Sequence, residues 1–167
     1  MKKNVLFFLG AILCIGSTFC GKDTGETAQR KRAEEFQTNV KSKRFKLVDF
    51  YSDLPIDYIE NDVEVRQETD LRPYIKQYLV DDEDMFAAEG GLMITQNETK
   101  IPGDESSVIN RTYRVRWNAT EALLDFVDYY YQPLAYKLSD YSATGFTIYL
   151  NWHKGNAKIY SRYELIP

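Results

Sequence analysis

The apolar and polar positions alternate most cleanly at the C-terminus. Phe146–His153 and Lys158–Ile166 are two strand-like runs rich in Tyr, Ile and Thr, with Gly155-Asn156 between them. Glycine at the first central position suits a two-residue hairpin loop. That loop pairs Lys154 with Ala157, which places Trp152 opposite Ile159, Leu150 opposite Ser161, Ile148 opposite Tyr163 and Phe146 opposite Leu165. One face is then almost wholly apolar. The other carries Tyr149, Asn151, Tyr160 and Arg162. A one-residue slip would mix the two faces, so pattern and turn chemistry predict the same hairpin, residues 146–166.

Val108–Trp117 reads as a further strand, with Ile109, Tyr113, Val115 and Trp117 on one side, interrupted by Arg111, and Asn110, Thr112, Arg114 and Arg116 on the other. Leu92–Thr99 suits its hairpin partner, with Pro102-Gly103 in the turn. Phe45–Tyr51 and Asp62–Arg66 are shorter candidates. Two stretches fit helical spacing instead. After Asn118, which with Glu121 resembles a capping box, Leu123, Phe126, Val127, Tyr130 and Leu134 recur at intervals of three and four. Leu71, Tyr74, Ile75, Tyr78 and Leu79 form a second stripe, with Asp70 as its cap and Pro73 in its first turn. The expectation is an α+β fold: an antiparallel sheet of about four to six strands with helices packed on one face.

The first twenty residues, MKKNVLFFLGAILCIGSTFC, follow a different rule. Lys2 and Lys3 precede an apolar or small-residue stretch from Val5 to Gly16. This is too short to span a bilayer, which takes ~20 residues, and it has the form of an export signal. Both cysteines of the chain, Cys14 and Cys20, fall in this segment. Cys20 directly follows the apolar run and precedes the polar Gly-Lys-Asp. The segment resembles the signal of bacterial lipoproteins, over these residues only. It departs from the usual pattern at Ser17, where leucine is favoured, and at Phe19, where a small residue is usual. The resemblance implies cleavage after residue 19, diacylglyceryl transfer to the Cys20 thiol and anchoring to the outer membrane or cell surface. Ordinary cleavage near Gly16 or Thr18 would instead give a secreted or periplasmic protein.

The organisation that follows is a signal peptide (1–19), a lipidated N-terminus and flexible tether (20–44), and one globular domain (45–167). The tether reading rests on composition. Residues 21–44 hold seven basic and four acidic residues, and their apolar residues are only Ala28, Ala33, Phe36 and Val40. Such a segment buries too little surface to offset its ordering entropy, and its helical pattern around 28–40 is weak. The chain as a whole has 167 residues, is 44% hydrophobic and carries a net charge of −4. That suits a single domain with a real core and argues against nucleic acid as a partner. Residues 49–105 hold sixteen acidic and four basic side chains, whereas 106–167 hold seven basic and five acidic.

Candidate chemistry is sparse. One histidine and no cysteine beyond Cys20 leave no material for a Cys–His pair or a metal cluster, and no cofactor is implied. His153 falls beside the hairpin turn as a surface residue. Asp81-Asp82-Glu83-Asp84 lacks calcium-loop spacing and reads as a solvated acidic end. Arg111, Arg114 and Arg116 read as balance for the acidic half. The sequons at Asn97, Asn110 and Asn118 read as coincidence in a cysteine-free exported domain. Tyr149, Asn151, Tyr160 and Arg162 combine flat aromatic area with hydrogen-bonding groups, a composition enriched at binding hot spots. The function expected is that of a non-enzymatic, lipid-anchored envelope protein that uses this patch to bind an envelope protein, a host ligand or a polysaccharide. The rival is a carboxylate-based glycan hydrolase, which would need a cleft lined by at least two inward carboxyls.

Overall fold

The computed structural model describes residues 25–60, 63–127 and 134–167. The leader, Cys20 and the Tyr129–Tyr131 triplet lie outside them. Helix α1 (Gly25–Val40) leads into a long strand β1 (Lys43–Glu60), followed by β2 (Val63–Asp70) and a one-turn helix α2 (Tyr78–Asp81). Seven strands complete the chain: β3 (Glu83–Phe86), β4 (Gly91–Thr95), β5 (Val108–Trp117), β6 (Ala122–Val127), β7 (Leu134–Tyr141), β8 (Gly145–Asn151) and β9 (Lys158–Leu165). All pairings are antiparallel, and β9 pairs back onto β1. The sheet therefore closes into an eight-stranded barrel of β1 and β3–β9, with β2 as an extra strand on the far half of β1. This corrects the expected α+β fold of four to six strands. Closure pairs each barrel strand on both sides and leaves β2 as the edge strand of the sheet.

The two predicted helices are where that expectation fails. Leu123, Phe126 and Val127 keep helical spacing, but Ala122, Leu124 and Phe126 also alternate. Ala122 and Leu124 are buried in the barrel core. Asn118 decides between the two patterns. Its Oδ1 accepts the backbone N–H groups of Thr120 and Glu121, at 2.8 and 2.9 Å, and its own N–H donates to the Glu121 carbonyl. The side chain expected to cap a helix closes the β5–β6 hairpin instead. The 71–79 stripe likewise breaks into a 3-10 turn at Arg72–Tyr74 and the single turn of α2.

The C-terminal hairpin forms with the predicted faces and a different register. Tyr149 lies opposite Tyr160 and Leu150 opposite Ile159, a shift of two residues that preserves which side chains point inward. The chain leaves the ladder early, at Trp152, whose N–H bonds the Ala157 carbonyl. Four residues, His153–Asn156, therefore make the loop. Trp152 packs instead with Tyr58, beside a satellite cluster of Ile56, Val65 and Leu71 from the β1–β2 arm. The β4–β5 hairpin forms as expected, and Gly103 in its loop has φ +85°, a backbone angle suited to glycine.

One end of the barrel is plugged. Residues 25–40, within the segment read as a tether, form α1. Its Ala33, Phe36 and Val40 are almost completely buried among Phe45, Phe86 and Phe146. The Phe146 ring meets those of Phe36, Phe45 and Phe86 at 5.2–5.6 Å, each edge-on. Arg32 donates to the Ser139 carbonyl, and Glu35 accepts the Tyr141 hydroxyl at 2.7 Å. Gly25 abuts the β5–β6 turn so closely that a Cβ would lie 2.5 Å from the Ala119 carbonyl oxygen. The turns at 87–90, 118–121 and 142–144 share this closed end.

Candidate functional site

The opposite half of the barrel is not filled. It holds a partly enclosed cavity of about 360 Å³. Phe50, Leu92, Ile94 and Phe126 supply apolar wall, and Ile75 and Leu79 reach over it from the segment between β2 and β3. An eight-stranded barrel has room for a single small ligand, and a largely apolar cavity with a few convergent polar groups is the usual form of such a site.

The polar residues on its wall include Asp82, Asp84, Tyr136, Ser161, Tyr163 and Arg111. Strand alternation explains the first two. Phe86 is fully buried, so Asp84 and Asp82, two and four residues earlier, point to the same inner side. Burial and the neighbouring Asp82 push the Asp84 carboxyl up to about 7. Burial and Asp81 push Asp82 up to about 6, with the Asn97 N–H and Lys100 pulling the other way. Tyr163 and Tyr136 are raised by burial, Tyr163 also by Asp84, so both phenols stay neutral. Arg111 acts on Asp104 in the β4–β5 loop.

The rest of the acidic run is fastened. The Thr99 N–H bonds Asp81 Oδ2 at 2.8 Å, and Asn97 Nδ2 bonds the Asp81 carbonyl at 2.5 Å. Buried Gln96 holds the same loop. It accepts the Ile101 N–H at 2.5 Å and donates to the Ser106 carbonyl at 2.6 Å, which presents Ile101 to the cavity. The reading of residues 81–84 as a solvated end is therefore corrected. Asp82 is only 7% exposed, and its Oδ1 has no hydrogen-bond partner.

The sequence-predicted patch lies on the outer face, away from this cavity. Tyr149 and Tyr160 are cross-strand partners with ring centroids 5.4 Å apart, and Tyr160 stacks on Tyr51 at 5.0 Å. Lys158 and Lys137 sit over the Tyr149 ring. Arg162 pairs with Asp49 and Glu164, and Asn151 is exposed at the strand end. The four residues share a face, half-covered by their own neighbours. Of the three arginines read as internal balance, Arg114 and Arg116 both bind Asp125.

The comparisons add no family. No protein-family model, curated protein or solved structure matches this chain. Among the described residues, no group of three or more His, Cys, Asp and Glu could hold a metal ion, and no helix is long and apolar enough to cross a membrane.

Proposed function

We propose that this chain is an envelope-anchored, non-enzymatic binding protein whose ligand is a small, partly apolar molecule taken into the open half of the barrel. The observation that carries this is the 360 Å³ cavity with Asp82 and Asp84 facing in from the β3 side. Two inward carboxyls also meet the first requirement of a glycan hydrolase. Their arrangement favours binding. Hydrolysis needs the pair to flank the scissile bond, one protonated and one ionised. Here both lie on one side of the cavity, and both are raised in pKa.

The test is titration with N-phenyl-1-naphthylamine, a neutral fluorophore that brightens on leaving water. One equivalent should bind, and Ile94→Trp, which fills the cavity, should abolish the signal while the circular dichroism stays unchanged. Saturable binding that survives Ile94→Trp would place the site elsewhere and overturn the reading.

Anchoring belongs to the same proposal. A lipid on Cys20 would stand five residues before Gly25, a reach of at most ~18 Å. The plugged α1 end would then face the bilayer and the cavity would open away from it. Two or more acyl chains anchor stably where one does not, so Cys20→Ala should move the protein from the detergent to the aqueous phase on partitioning. Equal partitioning of both forms would refute the anchor.

A further inference from the structure

We propose that the cavity selects organic cations: molecules with an apolar body and a protonated amine or ammonium head, held by Asp82 and Asp84. This rests on the cavity being a ligand site and names the chemistry of what enters it. A buried polar atom in a folded protein is normally hydrogen-bonded, and each exception asks for an explanation. Asp82 Oδ1 is such an exception, on a side chain 93% buried and lining the cavity. Its other demands are met from outside. The Asn97 N–H serves the carboxyl and Lys100 acts on it electrostatically from the β4–β5 loop, while Lys100 Nζ is itself hydrogen-bonded to the Gln96 carbonyl. Asp84 stands two residues along the same inner row, and the charged group acting on it is Asp82, of like sign. Among the described residues, no cation pairs with either carboxyl within ion-pair distance.

Two like charges side by side in an apolar enclosure repel and are poorly solvated. A ligand cation relieves both costs at once, supplying a donor to the unpartnered oxygen and positive charge between the carboxyls. The enclosure fits an organic ion better than a bare metal. Phe50, Leu92, Ile94 and Phe126 offer nothing to a hydrated ion and a good surface to an apolar body. Phe50 and Phe126 also present aromatic rings, which favour a cationic head at close range. Arg111, a cation on the cavity wall, lies on β5, and neither Asp82 nor Asp84 is lowered by it.

The experiment compares three isosteric probes by titration calorimetry at about pH 8, where both carboxyls are ionised: 1-naphthylmethylamine, 1-naphthylmethanol and 1-naphthoate. An ammonium–carboxylate ion pair in place of a neutral hydroxyl donating to the same carboxylates should make the amine bind at least about tenfold tighter than the alcohol. Asp82→Asn/Asp84→Asn should bring amine and alcohol to within about twofold of each other. Asp82→Asn alone, a substitution that keeps shape and acceptor, should show part of the loss if the double variant folds poorly. Equal binding of amine and alcohol, or tighter binding of naphthoate through Arg111, would overturn the cation preference while leaving the cavity as a ligand site. Failure of all three probes, together with failure of N-phenyl-1-naphthylamine, would overturn the ligand site itself.

Discussion

Phe36→Ala should cost about 3–5 kcal/mol of unfolding free energy, the usual scale for truncating a fully buried aromatic residue. Phe36 has no exposed surface, and its ring meets Phe146 at 5.3 Å and Tyr141 at 6.0 Å, both edge-on. It is the largest side chain that α1 places in the barrel. An isolated 16-residue helix of mostly polar residues is marginal in water, so α1 holds its shape because Ala33, Phe36 and Val40 are docked. Removing the central ring opens a void that neighbouring strands cannot collapse into, since the barrel fixes them on both sides. Gln37→Ala, one residue on and exposed, should stay within about 0.5 kcal/mol of wild type. The measurement is a pair of urea midpoints followed by far-ultraviolet circular dichroism. Equal shifts for the two variants would mean that α1 does not plug the barrel.

That helix shows what could and could not be read from the chain. Ala33, Phe36 and Val40 are spaced i, i+3 and i+7, the pattern of one helical face. Three apolar residues in a charged segment look too few to pay for order when the segment is weighed alone. The missing quantity is the partner surface, the aromatic cluster of Phe45, Phe86 and Phe146, two of which lie far along the sequence. The same limit explains the lost helix after Asn118. Ala122–Val127 satisfies both periods, and only closure of the barrel, a long-range event, selects the strand. Patterns with a local arbiter fared better. The faces of the C-terminal hairpin follow from strict alternation and survive the two-residue change of register. The cavity was half legible. Asp82, Asp84 and Phe86 alternate, so the two carboxyls share a buried side as soon as residues 83–86 are a strand. Considered as four consecutive acids, the run suggests only solvent. Tyr136 and Tyr163 carry no signal of their own, because an inward tyrosine and an outward one look alike until the sheet is closed.

Asp125 poses the converse problem, an outward-facing acid that is fully covered. On the barrel's outer side, Arg114 and Arg116 lie over it and make four hydrogen bonds to its carboxylate, between 2.6 and 3.2 Å. Its side chain has no exposed surface, whereas theirs are 58% and 42% exposed. Burial alone would raise the carboxyl's pKa, but the hydrogen bonds and charges of Arg116 and Arg114 outweigh it and hold the pKa below the ordinary value. The attraction to two half-exposed arginines is screened and modest, so the large cost lies in leaving the covered carboxylate without partners. Arg114→Met/Arg116→Met keeps the cover and removes the charge. It should cost about 3–5 kcal/mol near neutral pH, the scale for breaking a buried pair from one side. Arg114→Ala/Arg116→Ala should cost less, because water reaches the uncovered carboxylate. The pH dependence separates this from lost packing. In wild type the folded pKa is depressed, so the stabilisation is present above the unfolded carboxyl's pKa and is lost as pH falls through the folded value. In the methionine variant the same group, buried without a partner, takes up a proton readily, and the penalty disappears on acidification. Urea midpoints of wild type and the methionine variant should therefore converge between about pH 7 and pH 3. A gap that stays constant across that range would mean that the arginines act through packing alone.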